Sequence, residues 1–471
     1  MKAEGDAPVI ELNDNGAWSW FMDERAIVHR RKLLVGSIRS TDKSYRAGRD
    51  EPHWGDCELA VQDLATGRTD VVMLHEHFEQ DDHDGPALHV RPDGRVVALY
   101  TRHSVERKVF WRVSESDDLR TWGEERELVT PGVDHPPFGG DNVTYSNPWQ
   151  PRAEGGRLYN FFRSVAHQQN WMYSDDQGET WHYGGMFLRG HQGYAPYFKY
   201  AAGGDDTLFF VGTEDHPRNF DNSVYAGFVR AGTIHQSDGR AYAPLSRTTE
   251  KSGDIWDLTP VFKGDADNVA WVIDLHLDAG GRPVCVFSVQ KDGRGLPGGQ
   301  GGFDHRYHYA RWDGARWVQH EVAYAGTRLY AGEDDYTGLA AIDPRDADSL
   351  YISTDADPVT GEPLVSAADG QRHHELFHGR TRDGGATWKW TPVTRDSPAD
   401  NLRPIVPIWD DPDRVVLIWM RGAYHHNQGP WDTRVVAPPS RVRPWNSSWC
   451  RWPSAALTSG SPVTGSASVE M

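Results

Sequence analysis

Apolar residues along this chain come in short alternating runs that end at Gly, Pro, Asp or Asn, the pattern of half-buried strands joined by tight turns. No long window sustains a helical period, so very little helix is expected. The clearest hairpin is residues 81–103, DDHDGPALHVRPDGRVVALYTRH. Its Pro92-Asp93-Gly94 suits a three-residue loop, a type I turn closed by a left-handed Gly. That loop pairs Arg91 with Arg95, and counting outward sets His83 opposite His103. Two imidazoles, with Arg102 and three Asp nearby, then share the open end of one strand pair.

Internal repeats set the architecture. LHVRPDGR (88–95) recurs as LHLDAGGR (275–282). SDDQGETW (174–181) and TRDGGATW (381–388) both fit the Asp-box pattern S/T-x-D-x-G-x-T-W, and SDDLRTW (116–122) is a shortened copy. In such a box the Asp and Gly shape a hairpin turn and the Trp packs beneath it, a structural role. At ~60 residues per unit these repeats predict an all-β, seven-bladed β-propeller of four-stranded antiparallel blades, with six blades the alternative. The chain then divides into a polar lead-in (1–15), a single propeller domain (16–453) and a flexible Ser/Gly/Thr-rich tail (454–471). His89 and His276 fall at equivalent hairpin positions, which reads as structural, whereas Ala270 stands where His83 would recur. A feature confined to one blade points to function.

Composition narrows the class. A net charge of −19 argues against a nucleic-acid partner and requires a local basic pocket for any anionic ligand. Cys57, Cys285 and Cys450 are too few and too scattered for a disulfide framework. No stretch is long and apolar enough to span a membrane, and MKAEGDAPVI lacks a signal-peptide core, so the expectation is an intracellular protein or one whose signal precedes this sequence. The 20 Trp serve either blade packing or sugar stacking.

The segments GAWSWFMDERAIV (16–28), the 81–103 hairpin, TYSNP (144–148), RLYNFFRS (157–164), PYFKYA (196–201), DHPR (215–218), HYARWDGARW (308–317), NLRP (401–404) and WMRG (419–422) together resemble the BNR-repeat β-propeller polysaccharide lyases. That group includes ulvan lyases and lyases that remove rhamnose from glucuronate on gum arabic. The resemblance implies β-elimination at a rhamnosyl-α-1,4-glucuronate (or iduronate) bond. The partner implied is an acidic, uronate-containing polysaccharide or oligosaccharide, and a monomer is expected.

The residue types fit that chemistry. A lyase must neutralise the uronate carboxylate, remove the weakly acidic C5 proton and protonate the departing O4. Arg163 suits neutralisation through a bidentate guanidinium–carboxylate pair. Tyr197 suits proton transfer if nearby cations pull its pKa down, with Tyr194 and Tyr200 as competitors. His83 is the other proton-transfer candidate, and His103 its orienting partner or a substrate contact. Tyr145, Asn147, His216, Arg218 and Arg403 are candidates for lining the same pocket. The chemistry needs no cofactor, although some relatives carry a structural metal, and zinc or calcium at His276, Cys285, His305 and His308 is the corresponding expectation. Two other readings remain open: a sialidase-like glycoside hydrolase, and a sugar-binding propeller without catalysis.

Overall fold

The computed structural model describes residues 8–133, 140–151, 156–191, 196–203, 206–245, 248, 250–293, 296, 299–409 and 416–439. The Ser/Gly/Thr-rich tail and Cys450 lie outside them. Within these residues the chain forms seven antiparallel sheets arranged as propeller blades. Six blades have four strands; blade 4 adds two more, Ala241–Pro244 at its edge and Thr259–Phe262 against its third strand. Among the described residues the helical elements are three single 3₁₀ turns, at Asp82–Asp84, Val165–His167 and Ile255–Asp257. No helix among the described residues is long and apolar enough to cross a membrane.

The inner strands are Ala26–His29, Ala87–Val90, Thr144–Trp149, Tyr197–Ala202, Val269–Leu277, Ala340–Asp343 and Asp400–Ile405, for blades 1 to 7. Ring closure corrects one boundary. Ile10–Asn13, placed by the sequence pattern in a lead-in, forms the outermost strand of blade 7 against Trp431–Ala437. The two ends of the propeller are therefore held by backbone hydrogen bonds, and the polar look of this strand reflects its position at a sheet edge.

The repeats explain the blades. LHVRPDGR and LHLDAGGR are the hairpins between first and second strands of blades 2 and 5. Arg91 N–H reaches Arg95 O at 2.8 Å, and Gly94 adopts φ +86°, as the loop type requires. All three Asp-box copies join third and fourth strands. In the copy at 174–181, Asp176 accepts from Thr180 N (2.8 Å) and Ser174 Oγ (2.8 Å), and Ser174 Oγ accepts from Gly178 N (2.7 Å). Thr381, Asp383 and Gly385 repeat these contacts. The motif's role is structural, as its chemistry predicts. Eleven of the 17 described Trp are buried and five are half-buried; Trp256 is the only one among the exposed large apolar side chains.

An aromatic plug fills the centre of the ring. Trp20 and Phe21, in the segment entering blade 1, pack on Trp271 (4.6 and 5.3 Å between ring centroids), Tyr336 (4.8 Å from Trp20) and Tyr197 (4.5 Å from Phe21). The space around the His83 turn is termed the upper pocket, and the cavity that Trp20 lines with Asp23, Lys199 and Asp274 the lower cavity.

Candidate active site

The upper pocket is built from loops and strand starts of several blades. The 3₁₀ turn that carries His83 is capped by Asp81, whose Oδ1 accepts from His83 N (3.1 Å) and meets His83 Nδ1 (2.6 Å). Asp81 Oδ2 meets His103 Nδ1 (2.8 Å). One carboxylate thus bridges two imidazoles, which stack with centroids 4.0 Å apart. The hairpin register is as counted, Ala87 opposite Leu99, but the ladder ends there. His83 reaches His103 from a turn, held by Asp81, rather than as a cross-strand pair.

The two imidazoles differ in charge. Burial works against the His83 cation, but the carboxylates of Asp81 and Asp82 outweigh it and raise its pKa to about 9. Burial also dominates His103; Asp81 opposes it only in part, the cation of His83 adds to it, and the pKa falls to about 4. Near neutral pH the pair is one imidazolium and one neutral imidazole. With Nδ1 of each turned to Asp81, Nε2 is the atom left for substrate.

Arg163 ends the second strand of blade 3. Its Nη2 donates to the hydroxyls of Ser104 and Thr144 (3.0 Å each), and its guanidinium lies 5.2 Å from the Tyr145 ring centroid. The side chain is 4% exposed, and among the described residues it forms no salt bridge. Tyr145 owes its position to a β-bulge: the pairing shifts between Thr144↔Arg163 and Asn147↔Phe161, and Tyr145 takes φ +72°. The bulge brings its ring to 5.6 Å from His83 and 6.3 Å from Tyr197.

Tyr197 begins the inner strand of blade 4 and faces His216 (5.8 Å) as well as the plug. Its pKa is raised, contrary to the expectation from nearby cations: burial outweighs the pull of Arg163 and Arg218. Tyr197 is therefore a hydroxyl, suited to giving a proton. Tyr200 points the other way along the strand, into the packing of blades 3 and 4, where it accepts from Gln169 (2.8 Å). Tyr194 lies outside the described residues.

The remaining predicted residues separate into two groups. His216 and Arg218 reach the pocket, with Arg218 Nη1 paired to Glu333 (2.8 Å) and Nη2 2.9 Å from His216 Nε2. Asn147 is committed to scaffold: its Oδ1 accepts from Asp23 N (3.0 Å) and its Nδ2 donates to Phe161 O (2.9 Å). Arg403 is buried beneath the His83 turn, where it pairs with Asp82 and donates to Tyr424 Oη (3.0 Å) and the Trp18 carbonyl.

The expected metal ligands are not brought together. His276 lies 3.5 Å from Asp274, His308 packs on Phe287 and meets Gln319 (3.0 Å), and Cys285 is a buried free thiol paired across strands with Leu275 and Ala310. His305 and His308 sit an odd number of positions apart on one strand and so face opposite sides. Among the described residues, Asp81, His83 and His103 are the one group of possible ligands lying within 4.8 Å of each other. Their mutual hydrogen bonds already account for that closeness.

Several pocket residues carry no local sequence signal. Asp81 and Asp82 lie in a conspicuous acidic run, but Glu333, Tyr330 and His426 come from irregular loops. The His426 ring lies tilted against Tyr330 at 5.3 Å, and the carbonyl of Asn427, next in its loop, accepts from Asp82 N (2.9 Å).

A ring of seven BNR-type blades with a polar pocket above an aromatic plug defines the class. The chain belongs to the BNR repeat-containing family, whose pattern matches residues 23–325. No curated protein matches it. Among solved structures it is similar to a family 25 polysaccharide lyase, an ulvan lyase, both alone and bound to -[GlcA(1-4)Rha3S]-. Identity is 16%, with 91% of this chain and 95% of that chain covered, at TM-scores of 0.62 and 0.61. An α-L-arabinofuranosidase from Fusarium graminearum is more distant, at 12% identity, 74% and 91% coverage and TM-score 0.43. The likeness to the lyase speaks for the fold.

Proposed function

We propose that the protein is a polysaccharide lyase that cleaves a rhamnosyl-α-1,4-uronate bond by β-elimination. The observation that carries this reading is Arg163: a buried guanidinium, held by two hydroxyls and, among the described residues, without a carboxylate partner, beside a divided histidine pair and two tyrosines. A buried cation left without an anion costs several kcal/mol unless a ligand supplies one. A uronate carboxylate matches its planar fork.

With the carboxylate on Arg163, negative charge developing on C5 spreads onto oxygens already neutralised. Neutral His103 accepts the C5 proton at Nε2, the C5–H electron pair forms C4=C5, and the C4–O4 bond breaks. Tyr197 Oη donates its proton to O4; Tyr145, whose ring lies 5.6 Å from that of His83, is the second donor candidate, and the His83 imidazolium stabilises the charge between them. Asp81 keeps neutral His103 in the tautomer that leaves Nε2 free to accept and holds the His83 cation in place. Arg218 and His216 border the leaving sugar, whereas Arg403 acts through the turn it supports.

Incubation with ulvan, gum arabic and other glucuronate glycans, followed by ultraviolet absorbance of the conjugated product, tests this reading. Release of reducing ends without that absorbance would indicate a hydrolase. Retention of oligosaccharide without any product would indicate a binding module.

A further inference from the structure

Below the plug lies a second buried charged cluster that the chemistry above does not use. Lys199 Nζ contacts Asp23 (2.5 Å) and the Trp20 carbonyl (2.7 Å). Asp274, 3.5 Å from His276, also accepts from Leu275 N and Ile342 N (2.9 Å each). Between them is a cavity of about 30 Å³, room for one or two waters or a single halide ion.

Its walls are short of acceptors. Arg25, Arg403 and Trp20 line it and are 8%, 1% and 2% exposed. Arg25 Nε and Nη1, Arg403 Nε and Trp20 Nε1 are buried N–H groups without a partner, against one such acceptor, Asp23 Oδ2. Buried donors in native folds are almost always satisfied. A water accepts from two donors but must place two hydrogens of its own, and Asp23 Oδ2 is the one unpartnered acceptor offered against four unpartnered N–H groups. A monatomic anion accepts from every side and donates nothing. The charges agree: Arg25, Lys199, Arg403 and His276 face Asp23, Asp274 and Asp82, leaving one surplus positive charge whenever Glu24 is neutral.

We propose that this cavity binds one monatomic anion, chloride being the abundant choice, which ties Arg25 of blade 1 and Arg403 of blade 7 to Trp20 of the plug. Glu24 makes the binding pH-dependent. It is raised to about 7 by burial and then by Asp23, and it faces Asp274, His276, Lys199 and Arg25 as well. Ionised Glu24 supplies the neutralising charge itself and so competes with the anion. Affinity therefore falls as pH rises through that value.

The test uses the full chain. Melting temperature is followed in sodium chloride, sodium bromide and sodium gluconate at equal ionic strength, and a crystal soaked in bromide is examined by anomalous diffraction. The expected result is a bromide peak among Arg25, Arg403 and Trp20, with a halide-specific rise in Tm of ~1–2 °C at tenfold excess over Kd for a chain of this length. Binding should be tighter at about pH 6 than at about pH 8. Arg25→Gln should abolish the halide dependence, and Trp20→Phe, which removes one N–H and keeps an aromatic ring, should weaken it. Equal melting curves in halide and gluconate with no peak in the cavity would overturn the proposal in favour of water. A halide effect unchanged in both variants would place the site elsewhere and overturn it equally.

Discussion

Arg163 at the blade 3 side of the upper pocket and Arg403 at the blade 7 side are both buried, and both lie beside a β-bulge bearing a non-glycine residue at positive φ, Tyr145 and Arg403 itself. They differ in what neutralises them. Arg403 holds Asp82, a tyrosine hydroxyl and a backbone carbonyl; Arg163 holds two hydroxyls. A satisfied ion pair is scaffold, because its charge is already answered within the fold. A buried cation without an anion has binding capacity to spare, and that distinction separates the two residues although each sits in a comparable strand.

Substitution at these two positions should give opposite kinds of damage. Arg163→Ala should lower kcat by on the order of 10²–10³-fold, as when a transition-state donor is lost, while Tm changes little. Arg163→Lys should fall between wild type and Ala, since the charge remains and the fork does not. Esterifying the uronate should shrink the gap between wild type and Ala. Arg403→Ala should instead lower stability by ~3–5 kcal/mol in denaturant unfolding, because buried Asp82 loses its guanidinium partner and keeps only His83 and the Tyr424 hydroxyl. If Arg163→Ala unfolded the protein and Arg403→Ala altered only kcat, the assignments would have to be exchanged.

His83→Ala should reduce kcat by ~10²-fold or more with the fold intact, measured by turnover alongside circular dichroism. The same variant sharpens the pH argument. Activity should rise as His103 loses its proton, near pKa 4, and fall as His83 loses its own, near 9. Removing His83 should abolish the alkaline limb. For stability, a folded-state pKa above the unfolded 6.5 means that the His83 contribution is complete below 6.5 and lost as pH rises through about 9. A depressed value means that the His103 contribution is complete above 6.5 and lost as pH falls through about 4. Together the pair favours the folded state most near pH 6.5, and a pH series of melting curves on wild type and His83→Ala would show whether the alkaline decline shrinks.

Tyr197→Phe keeps the ring and its packing on the plug, so a near-total loss of turnover would identify the hydroxyl as the proton donor. Retained activity there, with loss in Tyr145→Phe, would move that role across the pocket. Tyr200→Phe should leave kcat almost unchanged and cost only the hydrogen bond with Gln169, about 1 kcal/mol. The smallest effect is expected at Arg218, which is already paired with Glu333 and partly exposed. Arg218→Ala should raise KM by less than about tenfold and alter kcat little.

Local chemistry in the chain determined what repeats locally. Period-two alternation, Gly and Asp turns and the Asp-box side chains specify hairpins through neighbours a few residues apart, so the seven blades and the hairpin register from Ala87↔Leu99 inward were legible in the residues. Tertiary structure decided everything that depends on partners distant in sequence. Asp82 meets Arg403, which made a predicted pocket residue into a support, and Ile10–Asn13 became a strand only because Trp431–Ala437 lies beside it. The opposite shifts of His83 and His103 could not be read from their shared residue type, and burial reversed the expected direction for Tyr197. The reason is common to these cases: strand pairing is encoded by short-range pattern, whereas the charge state of a buried group is the balance between its desolvation and whichever charges the closed ring brings against it.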